Sequence, residues 1–220
     1  IPVSETHTLL GQLVDMRGFV VITPIGSDVH PTQIVDELEQ LKVTYGIKSF
    51  VLYDDNLFAM RKQAKELLRE MVNRNLDLKW HVSSFAIFVI DDEMLDLMKA
   101  AGCIGVNVAI ESGSPRVLKE IINKPIKDLY AVPSLIKKIK ARDMYVLANF
   151  IIGSPGETWE EIRETIQFAE DCGADYVKFF IAVPLEGTDM YEMARKLNAF
   201  EQDHDAESPK LDWRFSQLKS

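Results

Sequence analysis

Polar residues gather at four points along the chain, each directly after an apolar run of strand length. "YDDNLF" brings together Asp54, Asp55 and Asn56, and "IESGSPRVL" brings together Glu111, Ser112, Gly113 and Ser114, with Arg116 in the segment that follows. "IIGSPGET" sets Gly153 and Gly156 around a polar turn that leads to Glu157, and "VPLEGT" spans Val183 to Thr188. Carboxylates and amides can hold the polar groups of a small ligand, and glycines let backbone approach it. Any one of these turns could instead be ordinary turn chemistry, because Gly, Pro, Ser and Asp are what a strand-to-helix turn requires. The four together read as a binding mouth, since a carboxylate such as Glu111, straight after an apolar strand, is costly without a partner.

Other chemistries lack their residues. There is no Gly-x-x-x-x-Gly-Lys-Ser/Thr phosphate loop, no Gly-x-Gly-x-x-Gly after the first apolar run and no His-Glu-x-x-His. His7, His30, His81 and His204 are scattered, and His81, inside an apolar run, reads as a packed histidine before a catalytic one. Cys103 and Cys172 lie far apart, each beside a glycine, which suggests two buried thiols and neither a zinc site nor a disulfide framework.

The elements that must position these groups follow from periodicity. Strands are expected at Phe19 to Thr23, Ser49 to Tyr53, Leu78 to Ser83, Gly105 to Ile110, Tyr145 to Ile152 and Tyr176 to Val183, alternating with segments of helical period. In "PTQIVDELEQLKVTYG", Ile34, Leu38 and Leu41 form one stripe and Gly46 a stop; "DDEMLDLMKAAGC" has Asp91 or Asp92 at its cap. "GETWEEIRETIQFAEDCG" opens acidic, with Glu157 entering the helix, and this suits the helix dipole. The alternation predicts an α/β fold with parallel strands, a partial barrel of six β/α units, with the functional groups at the strand C-termini. The basic run Lys137 to Arg142 reads as a solvated helix face.

The chain has 220 residues, 47% hydrophobic and 27% charged, enough for one domain at 19–200 with a linker-like segment before it. After Phe200 the helical period is lost, and residues 201–220 read as a tail that docks through Trp213 and Phe215. Thirty-four acidic against 25 basic residues, a formal charge of -9, argue against general nucleic-acid binding. No apolar run approaches the roughly 20 residues of a membrane span, and "IPVSETHTLL" lacks the pattern of a signal peptide, so a cytoplasmic location is expected.

"YGIKSFVLYDDNLF", "LDLMKAAGCIGVNVAIESGSPRVLKEIINK", "NFIIGSPGETWEEIRETIQFA" and "VPLEGTDMYEMA" together resemble the core domain of radical S-adenosylmethionine (SAM) enzymes, above all the branch that carries an upstream cobalamin-binding domain. The resemblance implies a partial barrel that holds a [4Fe-4S] cluster and SAM at the strand ends, with cobalamin supplied by another domain. Asp54, Asp55 and Asn56 then stand where the family binds the methionyl amino group, and Glu111 and Ser112 where it contacts ribose or the methionyl end. Arg116 stands where it can pair with the methionyl carboxylate, Ile151 and Gly153 beside adenine, and Val183 at the adenine edge. "IPVSETHTLL" is similar to the linker that follows the cobalamin domain.

The family's first strand is followed by a long loop carrying Cys-x-x-x-Cys-x-x-Cys, whose thiolates hold the cluster. Here "FVVIT" runs through "PIGSDVH" into a helix near Pro31, and no cysteine precedes Cys103. Phe85 stands where relatives tend to have an arginine. The chain is therefore expected to be a radical SAM-like domain unable to cleave SAM reductively. The alternatives are a non-catalytic SAM- or nucleotide-binding scaffold and an artificially excised fragment of an active enzyme.

Overall fold

The computed structural model describes residues 10–14, 19–24, 30–53, 57–124 and 128–200. Asp54, Asp55, Asn56, Pro125 and the tail at 201–220 lie outside them. Seven strands, β1 (Leu10–Val14), β2 (Phe19–Pro24), β3 (Ser49–Leu52), β4 (Lys79–Phe85), β5 (Cys103–Glu111), β6 (Tyr145–Ile152) and β7 (Tyr176–Ile181), are hydrogen-bonded neighbours in chain order. Six are those the apolar runs predict. The seventh, β1, lies in the segment read as a linker and pairs antiparallel with β2, Leu10 opposite Pro24 and Val14 opposite Val20. β2 to β5 pair in parallel, with Val51 opposite His81 and His81 opposite Gly105.

Helices α1 (Pro31–Tyr45), α2 (Arg61–Arg74), α3 (Asp92–Ala100), α4 (Val132–Lys140), α5 (Trp159–Asp171) and α6 (Asp189–Lys196) fall between and after the strands. Their ends follow local chemistry. At α1, Pro31 supplies a preset φ, the Thr32 N–H donates to His30 Nδ1, and the His30 N–H donates to Gln33 Oε1 at 3.1 Å. Gly46 ends that helix at φ 65°, the left-handed conformation that glycine adopts without penalty. His30 is thus a cap, a role its position in the sequence did not suggest.

The contacts divide the chain into two compact units, Ile1–Ala109 with Leu135–Leu147, and Ile110–Ser134 with Ala148–Ser220. The first unit buries one stripe of α1 (Ile34, Val35, Leu38, Leu41) and one of α2 (Ala64, Leu67, Leu68, Met71), together with Phe50, Leu52, Trp80 and Val82 from the strands. Full burial of such a side chain stabilises by roughly 1.5 to 3 kcal/mol. The Trp80 ring stacks on Phe50 at 5.8 Å, and its indole N–H donates to the Ala101 carbonyl at 2.8 Å, so the polar end of a buried aromatic is satisfied. Phe85 is also buried here, edge-to-face against Phe58 at 5.0 Å. The Phe85 ring serves packing.

His81 is half-buried near the start of β4, its ring 6.3 Å from that of Tyr145, and burial pulls its pKa below the ordinary value. It is a packed residue toward the N-terminal end of its strand, away from the strand C-termini. The Tyr145 ring lies against Gly105, where a Cβ would come within 2.5 Å of three ring carbons. The basic run is an ion-paired helix face, with Lys138 3.0 Å from Asp92 and Arg142 2.5 Å from Asp96. Asp91 caps α3 by accepting from the Met94 N–H and also accepts from Lys65 at 2.8 Å; the ammonium is the main reason its carboxyl lies at about 2.

In the second unit, Phe150 of β6 packs edge-on against Phe168 of α5 and stacks on Phe179 of β7 at 5.6 Å. No helix among the described residues is long and apolar enough to cross a membrane.

Two glycines separate a conformational requirement from a steric one. Gly46 and Gly102 both have positive φ, but a Cβ at Gly46 would meet nothing within 4 Å, whereas at Gly102 it would lie 2.2 Å from the Leu78 carbonyl oxygen. Gly46→Ala is expected to cost about 1 kcal/mol in urea unfolding and Gly102→Ala about 3 kcal/mol or more, because backbone must move to admit it. Equal losses would refute this account.

Candidate functional site

The described candidate residues Glu111, Ser112, Arg116, Ile151, Gly153 and Val183 all fall in the second unit, at the C-terminal ends of β5, β6 and β7. Asp54, Asp55 and Asn56 follow β3 outside the described residues.

β5 ends on Glu111 with φ 72°, a left-handed conformation in a residue that has a Cβ. Such backbone costs about 1 to 3 kcal/mol and is retained where surroundings over-determine it. Glu111 meets Lys124 at 2.9 Å, the partner its position after an apolar strand requires. Ser112 is fully buried; its hydroxyl accepts the Ser114 N–H at 3.0 Å and lies 3.0 Å from Thr165 Oγ1. Thr165 Oγ1 also accepts the Gly113 N–H at 3.0 Å and donates to the Glu161 carbonyl at 3.0 Å. The loop lies so close to α5 that a Cβ at Gly113 would come 2.8 Å from both the Glu164 carbonyl oxygen and Thr165 Cα.

Arg116 is committed to α5. Its Nε and Nη2 donate to the two carboxylate oxygens of Glu161, both at 2.6 Å, and Nη2 also donates to the Gly156 carbonyl at 2.9 Å. This is the fork-to-fork geometry that a ligand carboxylate would need. Glu161 further accepts the Thr158 N–H at 2.9 Å, closing a capping box in which the Glu161 N–H donates to Thr158 Oγ1 at 3.3 Å. Ser114 Oγ donates to it at 3.3 Å as well. The Arg116 hydrogen bonds hold the Glu161 carboxyl at about 2.

β6 leads into a turn with Gly153 at φ 75° and Gly156 at φ 80°. Glu157 precedes α5, which begins at Trp159, and does not enter it as expected. Its Oε2 accepts the Ser154 N–H at 2.9 Å, and burial raises its pKa. Three buried polar atoms of this region, Asn149 Oδ1, Ser154 Oγ and Glu157 Oε1, have no hydrogen-bond partner among the described residues. Ile151 and Val183 are half-buried, and the Ala182 N–H donates to the Ile152 carbonyl at 2.9 Å.

Glu161, Thr165 and Lys124 are the residues sequence reasoning passed over. Thr158-x-x-Glu161 is a capping-box pattern and could have flagged Glu161; nothing local marks Thr165, whose importance comes from the turn packed against it.

Cys103 donates to the Gly105 carbonyl and Cys172 to that of Ala169, both thiols are buried, and burial pushes Cys103 up to about 12. No group of three metal-ligating side chains occurs among the described residues. Between Pro24 and Pro31 the chain has only Ile25, Gly26, Ser27, Asp28, Val29 and His30.

Strand and helix alternate around parallel strands whose C-terminal ends carry the polar groups, which defines a β/α domain of the TIM-barrel-like type. Residues 20–169 match the radical SAM superfamily model, and the chain belongs to that superfamily. It is 36% identical to an uncharacterized methyltransferase of Pyrococcus horikoshii over 74% of this chain and 35% of that protein. It is 38% identical to the cytidylyl-2-hydroxyethylphosphonate methyltransferase of Streptomyces wedmorensis over 71% of this chain and 30% of that protein. The radical SAM methyltransferase TsrM of Kitasatospora setae, solved with cobalamin and a [4Fe-4S] cluster, superposes with a TM-score of 0.64 at 27% identity over 70% of this chain and 31% of that one. The chain thus spans about a third of the length of these proteins.

Thr165→Val removes the hydroxyl that joins Gly113, Ser112 and Glu161, and is expected to cost about 2 to 3 kcal/mol in chemical denaturation, with Thr165→Ser retaining most of it. Equal losses for the two variants would show that the methyl and not the hydroxyl matters.

The carboxyl of Glu161 is lowered from its ordinary 4.5 to about 2, so its contribution to stability is present above 4.5 and lost as pH falls toward 2. Glu161→Gln is expected to flatten the fall in melting temperature across that window, the remainder coming from groups such as Asp91. An unchanged pH profile would overturn the assignment.

Proposed function

We propose that this chain is a radical SAM core domain that keeps a pocket for SAM or a related nucleoside at the ends of β5, β6 and β7 but cannot, as written, hold a [4Fe-4S] cluster through three cysteines. The observation that carries the second half is the thiol inventory: Cys103 and Cys172 are the whole of it, and both are buried and engaged with backbone carbonyls. Cluster ligation needs several thiolates converging on one point, so reductive cleavage of SAM is not assigned to this chain.

The pocket reading draws support from Asn149 Oδ1, Ser154 Oγ and Glu157 Oε1, buried atoms of the kind that ligand N–H and O–H groups or ordered water satisfy. In this reading Glu111 and Ser112 receive the ribose or methionyl end, and Ile151, Gly153 and Val183 the adenine, while Asp54, Asp55 and Asn56, the candidates for the methionyl amino group, lie outside the described residues. Arg116, taken up by Glu161, pins the turns around the pocket and leaves the ligand carboxylate to other groups.

A second reading is favoured by the 38% identity to a methyltransferase of which the chain spans 30%. Here the domain is an excised piece of a radical SAM methyltransferase whose cluster loop was removed between Ile25 and Pro31, and whose cobalamin-binding domain lies elsewhere in the longer protein. Comparing the coding sequence with the mass of the native protein separates the two readings.

Anaerobic reconstitution with iron and sulfide is expected to leave less than a stoichiometric cluster, while calorimetric titration gives saturable binding of SAM or S-adenosylhomocysteine. Four irons per chain would overturn the first expectation. Absence of heat and of thermal shift with both ligands would overturn the second and leave a scaffold domain.

A further inference from the structure

Glu111 and Lys124 stand thirteen residues apart, and local geometry fixes both ends of their ion pair. The Ser112 N–H donates to the Ile110 carbonyl at 3.0 Å across Glu111, whose φ is 72°, so Glu111 is the apex of the strained form of γ-turn. The backbone there is tied down through the buried Ser112 and Thr165, but neither reaches the carboxylate. Among the described residues Lys124 alone bonds to it, Nζ donating to Oε1 at 2.9 Å, and Oε2 accepts from none.

The helical segment before Lys124 sets its place. Val117 and Leu118 are buried and anchor a widened turn, Val117–Ile121, closed by the Ile122 N–H donating to the Val117 carbonyl at 2.9 Å. Asn123 then turns left-handed at φ 54°, and the Lys124 N–H donates back to the Leu118 carbonyl at 2.8 Å. That bond reaches one residue further back than in an ordinary left-handed helix end, as the widened turn requires. We propose that Lys124 is a positioning residue of the site, holding Glu111 through Oε1 so that Oε2 is left in place for a hydroxyl or ammonium donor of a bound nucleoside. This rests on the pocket reading above. The exposures fit the role: the Glu111 side chain is 17% exposed and that of Lys124 44%, so the carboxylate needs a partner while the pair itself adds little to stability.

Calorimetric titration of S-adenosylhomocysteine into the full chain tests this with Lys124→Met, Lys124→Arg, Glu111→Gln and the double variant Lys124→Met with Glu111→Gln. Lys124→Met is expected to weaken binding about tenfold, with Lys124→Arg staying within about twofold of the parent. The melting temperature of Lys124→Met should move by no more than about 2 °C, because a half-exposed pair contributes little to the fold. In the Glu111→Gln background Lys124→Met should cause no further loss, since the lysine acts through that carboxylate. Equal affinity in the parent and Lys124→Met would overturn the proposal and leave the pocket reading intact; so would a loss of the same size in the Glu111→Gln background. Trace acetylation of lysine amines without ligand, read by mass spectrometry, should label Lys124 several-fold faster in Glu111→Gln, and equal rates would overturn the ion pair on which the proposal stands. A parent chain that binds no S-adenosylhomocysteine would overturn the pocket reading and the positioning role together.

Discussion

Glu161 accepts hydrogen bonds from three groups: the Arg116 fork and the Ser114 hydroxyl of the turn after β5, and the Thr158 amide at the start of its own helix. Most of the candidate site depends on that carboxylate. One turn below it, Thr165 takes up the backbone of the loop that follows β5. The strained backbone of Glu111 immediately precedes this loop, so the strain is held by a turn tied to α5 at two levels. A charge-assisted bidentate pair is among the stronger local interactions available to a protein, and here it joins the turn after β5 to the turn after β6.

That arrangement alters how the arginine is understood. By its place in the sequence, Arg116 is a ligand contact; by its geometry, it is a fastening whose counterion is internal. The buried polar atoms that the internal network of the described residues does not reach are Asn149 Oδ1, Ser154 Oγ and Glu157 Oε1. They lie close in sequence to Ile151 and Gly153.

Much of the fold was legible because its signals are local and repeated. Six strands could be read from apolar runs, Gly46 and Asp91 mark helix ends by their own chemistry, and the basic run of α4 pairs with acids as a solvated face does. β1 escaped because five residues with little alternation announce a strand only through their pairing with β2. Thr165 escaped for a related reason: its hydroxyl matters because Gly113 brings a backbone within reach, and neither residue predicts the other across more than fifty positions. Glu157 carries the right residue type for a helix start but turns back onto Ser154, a choice made by the two left-handed glycines beside it.

The passage from β2 to α1 takes six residues and closes on its own cap, His30 with Thr32 and Gln33. Loop closure becomes less favourable by only about 0.6 kcal/mol for each doubling of length. A helix that begins with its own proline and cap does not depend on what precedes it. The domain is therefore nearly indifferent to how much chain joins these two elements, so insertions between them are expected to be tolerated by the helix that follows.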